Sequence, residues 1–177
     1  ESAIDIPGNA VRERIKDVFL VPHFDNTIAV YPPVIDAIQN SDYILIGPGD
    51  LFTSIIANLI VPGIREALQE SCAKIIYVLN IMTKFGETHT FKSYDFVNKI
   101  EDYIGRQVDG VICNTGQPSD KLLQKYMAEK AELVEMNNYE PWIGDRDIYA
   151  ADLLDNTGQI VRHSPTKLAA VVQRIIR

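Results

Sequence analysis

A chain of 177 residues with a hydrophobic fraction of 46% is long enough for one domain with a sizeable core, which argues against an intrinsically disordered segment. The net charge of −7 disfavours nucleic-acid binding through phosphate neutralisation, and no apolar run approaches the ~20 residues needed to span a membrane. Cys72 and Cys113 form no CxxC pattern and the histidines are scattered, so no metal centre is indicated; buried free thiols in a reducing cytoplasm fit better than a disulfide.

The opening residues, with Pro7 and Gly8, read as an extended entry. With no initiator methionine and no signal-peptide pattern, the sequence is expected to be part of a longer chain. Arg14 to Val21 reads as a strand, followed by a polar loop from Pro22 to Pro33. Val34, Ile35, Ala37 and Ile38 set an apolar helix face ending near Asn40. Tyr43 to Ile46 is a short uncharged run that suits a strand buried on both faces of a parallel sheet. Gly47-Pro48-Gly49 stops it, and a helix from Thr53 to Leu59 follows, broken at Pro62-Gly63 and resumed from Ile64 to Ser71.

Lys74 to Asn80 is a β-branched strand. After a polar loop, Ser93 opens a helix through Ile104 with Phe96, Val97 and Ile100 in helical register, and Gly105 ends it. Gly110 to Asn114 is another buried strand. Ser119 caps a helix to about Lys130 with Leu122, Leu123, Tyr126 and Met127 on one side. Leu133 to Met136 reads as a short strand, residues 137 to 147 (with Trp142) as loop, and Ile148 to Leu154 as extended chain. Asn156-Thr157-Gly158 is a turn, and Ser164-Pro165 opens a last helix whose stripe is Leu168, Val171, Val172 and Ile175.

Alternating strands and helices imply a parallel or mostly parallel sheet covered by helices on both faces. In such sheets the ligand sits beyond the carboxyl ends of the strands, where strand order reverses. Three post-strand loops are rich in small polar residues: 47–54, 80–88 and 114–119. Gly47-Pro48-Gly49-Asp50 between a strand and a helix start resembles an anion site, because glycines and free backbone N–H groups admit a phosphate there. Thr53 and Ser54 can bond phosphate oxygens or cap the helix; Asn80 and Asn114 can present amides to a ligand or tie loop backbone. Asp50 can bind Mg²⁺ or act as a base, but capping is the simpler role. Glu87, beside Thr83, Gly86 and Thr88, can hold a hydroxyl or a metal, or merely be solvated. Arg162 can pair with phosphate or sit in a surface ion pair, and Tyr126 can stack on a base or line a core. No Ser/His/Asp arrangement can be drawn through His23, His89 and His163.

Taken together, Gly47 to Ile55, Asn58 to Ile64, Asn80 to Thr83 with Gly86-Glu87-Thr88, Asp152-Leu153-Leu154 and Val161-Arg162-His163 resemble the CofD-like family. The nearest branch is the bacterial gluconeogenesis factors of the YvcK type, and the resemblance runs from Ile15 to Ile176 as one domain over 1–177. It implies a Rossmann-like three-layer α/β/α fold with a mostly parallel sheet, in a cytoplasmic protein that binds UDP-sugars such as UDP-N-acetylglucosamine and supports cell shape and wall supply during gluconeogenic growth. The family fold is compatible with a homodimer. The sister branch is 2-phospho-L-lactate transferase of coenzyme F420 synthesis, which uses Mg²⁺. By position, Tyr126 and Arg162 are implied contacts of the uridine nucleotide, Gly49, Thr53 and Ser54 lie near its phosphates, and Asn80 and Thr83 line the same cleft. The family's N-terminal Gly-Gly-Gly-Thr-Gly loop is absent, so a first βα unit is expected to be missing. Asp50 stands where that branch more often has serine, and a carboxylate there repels phosphate unless a cation intervenes.

Overall fold

The computed structural model describes residues 15–22, 27–136, 143–157 and 159–177. Four strands, β1 (Tyr43–Ile46), β2 (Lys74–Val78), β3 (Gly110–Asn114) and β4 (Asp147–Ala151), form one sheet in that order, every pair parallel. The helices are α1 (Pro32–Gln39), α2 (Ala57–Leu59), α3 (Ile64–Glu70), α4 (Ser93–Ile104), α5 (Asp120–Ala128) and α6 (Pro165–Ile175). A π-helical turn over Leu51–Ile56 leads directly into α2.

The unbroken apolar run of β2 is explained by burial on both faces. Ile75 and Tyr77 face one layer while Ile76 and Val78 face the other, and all four are buried. The first layer holds the π-helical turn, α3 and α4; the second holds α6 through Leu168, Val171, Val172 and Ile175. This is a three-layer α/β/α arrangement. Phe96, Val97, Ile100 and Ile104 of α4 are all fully buried, each contributing about 1.5–3 kcal/mol. Gly105 ends α4 with a positive φ of 73°. Its start is capped from Lys92, whose N–H donates to Asp95, and Ser93 lies inside the helix.

Several sequence expectations change. The Arg14–Val21 strand does not form over its described residues: Ile15 and Val18 pack on the core as irregular chain, while Phe19 and Val21 are exposed. Leu133–Met136 makes only an isolated bridge, Leu133 to Met82. α5 stops at Ala128 with no fully buried residue, and Met127 is exposed. Trp142, Gly158 and His23 lie outside the described residues. Cys113 is buried, its thiol pushed up to about 11 by burial, but Cys72 is exposed. The strand order contains no reversal among the described strands, so a topological switch point is not what locates the site here.

No described helix is long and apolar enough to cross a membrane. The pair Leu51–Leu59 and Ile64–Glu70, which matches a span by length and composition, is bent by 75° and belongs to the core against the sheet.

Candidate functional site

All four strands are parallel, so the loops after them share one edge of the sheet. There a cleft of about 420 Å³ is lined by Pro48, Gly49 and Asp50 after β1, by Asn80 to Lys84 after β2, by Tyr126 of α5, and by Val161, Arg162 and His163 before α6. A larger hollow of about 940 Å³ lies along β1 and the end of α6. It is the flank of the edge strand, lined by aliphatic side chains of β1 and α6 together with the polar segment Asn40–Asp42 and Lys74, whereas the smaller cleft lies at the carboxyl ends of the strands and gathers polar groups from four separate segments.

The β1 end of the cleft follows Gly47, whose φ of 87° favours glycine. The Gly47–Pro48 peptide is cis. Beyond it the Asp50 carbonyl accepts from the N–H groups of both Ser54 and Ile55, and the second of these bonds is the π-type step. Asn80 fixes this loop from the next strand. Its Nδ2 donates to the Gly49 carbonyl at 2.8 Å, and its Oδ1 accepts from the Tyr77 hydroxyl at 2.9 Å. The ring of Tyr77 is fully buried, and desolvation raises its hydroxyl far above the usual phenol range. Asn80 therefore takes the loop-tying role.

Asp50 makes no capping bond with its side chain. It pairs instead with Lys84 Nζ at 2.8 Å, and the same ammonium meets Glu87 at 2.7 Å. Glu87 is thus held rather than solvated, its side chain only 16% exposed. Burial works against the Lys84 charge, but the bonds to the two carboxylates outweigh it, and the ammonium lies above the usual lysine range. The loop carrying these groups is braced: Thr83 N–H donates to the Glu132 carbonyl and Thr83 Oγ1 accepts from Glu132 N–H, both at 2.8 Å. Thr88 Oγ1 accepts from Lys84 N–H at 2.9 Å. Thr83 and Thr88 are both buried.

At the other end the Tyr126 hydroxyl accepts from Val161 N–H at 3.0 Å, which seats α5 against the segment before α6. Arg162 Nε and Nη2 meet Asp155 Oδ2 at 2.8 Å, so the surface ion pair exists. Only two of its five donors are committed in these bonds, and the side chain is 58% exposed beside the cleft. Thr157's hydroxyl and N–H, then Arg162, hold the Asp155 carboxyl at about 2. His163 also lines the cleft, and its Nε2 is buried with no hydrogen-bond partner among the described residues.

Burial lowers the His163 pKa, and the Leu79 backbone opposes this weakly. An imidazole depressed below 6.5 in the fold contributes stability that is present above that value and is lost as pH falls, because the unfolded chain takes up the proton first. Between pH of about 7.5 and 5.5, the wild type is expected to lose more thermal stability than His163→Phe. Parallel thermal melts at the two pH values check this; equal losses would contradict it.

Of the residues singled out in the sequence, the cleft gathers Gly49, Asp50, Asn80, Thr83, Tyr126 and Arg162. Gly47 and Ser54 line a neighbouring hollow instead, and Thr53 is half-buried in the π-helical turn. Asn114 serves the edge from outside the cleft: its side chain bonds the N–H and carbonyl of Gly116 and accepts from Leu153 N–H, joining the loops after β3 and β4. Lys84 is the charged cleft residue that sequence reasoning passed over, and His163 entered there only as part of the Val161-Arg162-His163 motif, with no site role given to it. The only signal for Lys84 was its place in a polar loop directly after a strand. Among the described residues no group of three or more His, Cys, Asp or Glu side chains is disposed to hold a metal ion.

The family model described as 2-phospho-L-lactate transferase CofD matches residues 1–154. A Thermotoga maritima protein named "Putative gluconeogenesis factor" is 39% identical over 86% of this chain and 50% of its own length. The Bacillus subtilis protein named "Gluconeogenesis factor" is 32% identical over 93% of this chain and 51% of its own. A crystal structure of a Bacillus halodurans protein superposes with a TM-score of 0.81 at 33% identity, covering 91% of this chain and 51% of that one. The chain spans about half the length of these relatives. The match over residues 1–154 and the shared parallel α/β architecture establish that the chain belongs to the CofD family.

Proposed function

We propose that the cleft beyond β1 and β2 binds a UDP-sugar of the UDP-N-acetylglucosamine kind, and that the protein acts as a gluconeogenesis factor supporting cell shape and wall supply during gluconeogenic growth. The observation that carries the reading is the bipolar cleft. A glycine turn tied by Asn80 forms one end, and Tyr126 with the half-committed guanidinium of Arg162 forms the other. A nucleoside diphosphate sugar needs both kinds of group: backbone and cations for the diphosphate, an aromatic rim and a planar fork for the nucleoside end. The names of the relatives support the gluconeogenic role.

Calorimetric titration of UDP-N-acetylglucosamine into the full-length protein tests this. The wild type is expected to show saturable heat. Arg162→Ala is expected to weaken binding by about tenfold to a hundredfold, since a hydrogen bond to a charged group contributes about 1.5–3 kcal/mol. Absence of heat in the wild type would sink the reading. Saturable binding of a guanosine nucleotide with Mg²⁺ instead would favour the phospholactyl transferase named by the family model.

A further inference from the structure

We infer that Lys84 is the counter-ion that admits the ligand's diphosphate to the glycine turn, by neutralising Asp50 in the cleft and Glu87 behind it while keeping its own ammonium within reach of the anion. The inference rests on the nucleotide-sugar reading and names the residue that makes its phosphate end workable.

Asp50 and Lys84 both line the cleft, while Glu87 stands behind Lys84. Without the lysine, Asp50 would stand uncompensated at the turn with Glu87 a second negative charge nearby, on a chain already at −7, and an incoming diphosphate would meet like charge in the cleft. With Lys84 between them at 2.8 and 2.7 Å, the cluster carries one net negative charge, and the cation is the group able to turn toward a stronger anion. The backbone at Lys84 is fixed by Thr88 Oγ1 and by the neighbouring Thr83–Glu132 bonds, yet the Lys84 side chain is 51% exposed. A clamped backbone with an open ammonium head is the arrangement for recruiting an anion. It is a weak arrangement for stability, because half-exposed ion pairs are screened and hold their geometry at an entropic cost. Arg162 is the other described cation lining the cleft, and it is anchored to Asp155 at the far end.

The test compares wild type, Lys84→Gln, Asp50→Asn and the double variant in the full-length protein, titrated with UDP-N-acetylglucosamine across a salt series. Lys84→Gln is expected to bind about tenfold more weakly and with a flatter salt dependence, with a melting temperature within about 3 °C of wild type. Asp50→Asn in the Lys84→Gln background is expected to restore affinity to within about threefold of wild type, which a merely structural lysine would not allow. Unchanged affinity in Lys84→Gln, or no recovery in the double variant, overturns the inference and leaves the nucleotide-sugar reading standing. A wild type that binds neither UDP-N-acetylglucosamine nor inorganic pyrophosphate overturns both.

Discussion

Asn80→Ala is expected to destabilise the protein by about 2–4 kcal/mol and to weaken UDP-N-acetylglucosamine binding by about tenfold or more. The side chain satisfies two groups at once. The Tyr77 hydroxyl sits at the end of a fully buried ring, and the Gly49 carbonyl belongs to the turn that lines the cleft. Removing the amide orphans a donor that water reaches poorly and frees the turn from β2. Each unsatisfied buried group costs about 1–3 kcal/mol, and a turn that must be ordered on binding loses affinity as well as stability. Tyr77→Phe is the control. It deletes the donor and leaves Asn80 still bonded to Gly49, so its cost is expected to be about 1 kcal/mol with affinity nearly intact. Denaturant unfolding with titration of both variants checks the pair. Equal effects on binding would show that Asn80 does not act through the Gly49 turn.

Glu101→Ala is expected to cost still more, about 3–5 kcal/mol, with ligand affinity unchanged in the protein that remains folded. Glu101, near the end of α4, accepts from Arg146 Nε at 2.8 Å and Nη2 at 2.7 Å, and from Val108 N–H at 3.0 Å. The two side chains are only 14% and 8% exposed. Truncating the carboxylate removes these two charge-assisted bonds from a largely buried guanidinium and takes the side-chain acceptor away from the Val108 amide just before β3. This joint lies at the opposite end of the strands from the cleft, since Val108 and Arg146 precede β3 and β4. Glu101→Gln keeps an acceptor for Val108 and is expected to lose less. Chemical denaturation curves separate the three; a loss under about 1 kcal/mol in Glu101→Ala would contradict the assignment.

The fold was legible where burial acts on both faces of a segment or on one helical stripe. β2 and β3 are continuous apolar runs because helices cover both sides, and the stripe of α4 matches four fully buried side chains. Arg14–Val21 had strand composition, but its described residues, 15–21, have no strand partner in the sheet, and a strand exists only through its ladder. The face of α5 was apolar in sequence, yet this helix packs at the rim, where Tyr126 works through its hydroxyl rather than by full burial. The π-helical turn was not readable, because one shifted hydrogen bond from the Asp50 carbonyl changes no residue type. At the site, the loops after β1 and β2 were legible from their small polar residues, while the charge state of the mouth was not. Lys84 and Asp50 are 34 positions apart, and only the parallel pairing of β1 with β2 brings them together. His163 was visible only as part of the Val161-Arg162-His163 motif, and its unpartnered nitrogen was not, since that is a property of packing.

The most direct measurement is a crystal structure of the full-length protein grown with UDP-N-acetylglucosamine. Ligand density is expected between the Gly49–Asp50 turn and the Tyr126–Arg162 end of the cleft, with the diphosphate beside Lys84. Density for the nucleotide elsewhere, such as in the hollow along β1 and α6, or a cleft left empty at saturating ligand, would contradict the assignment.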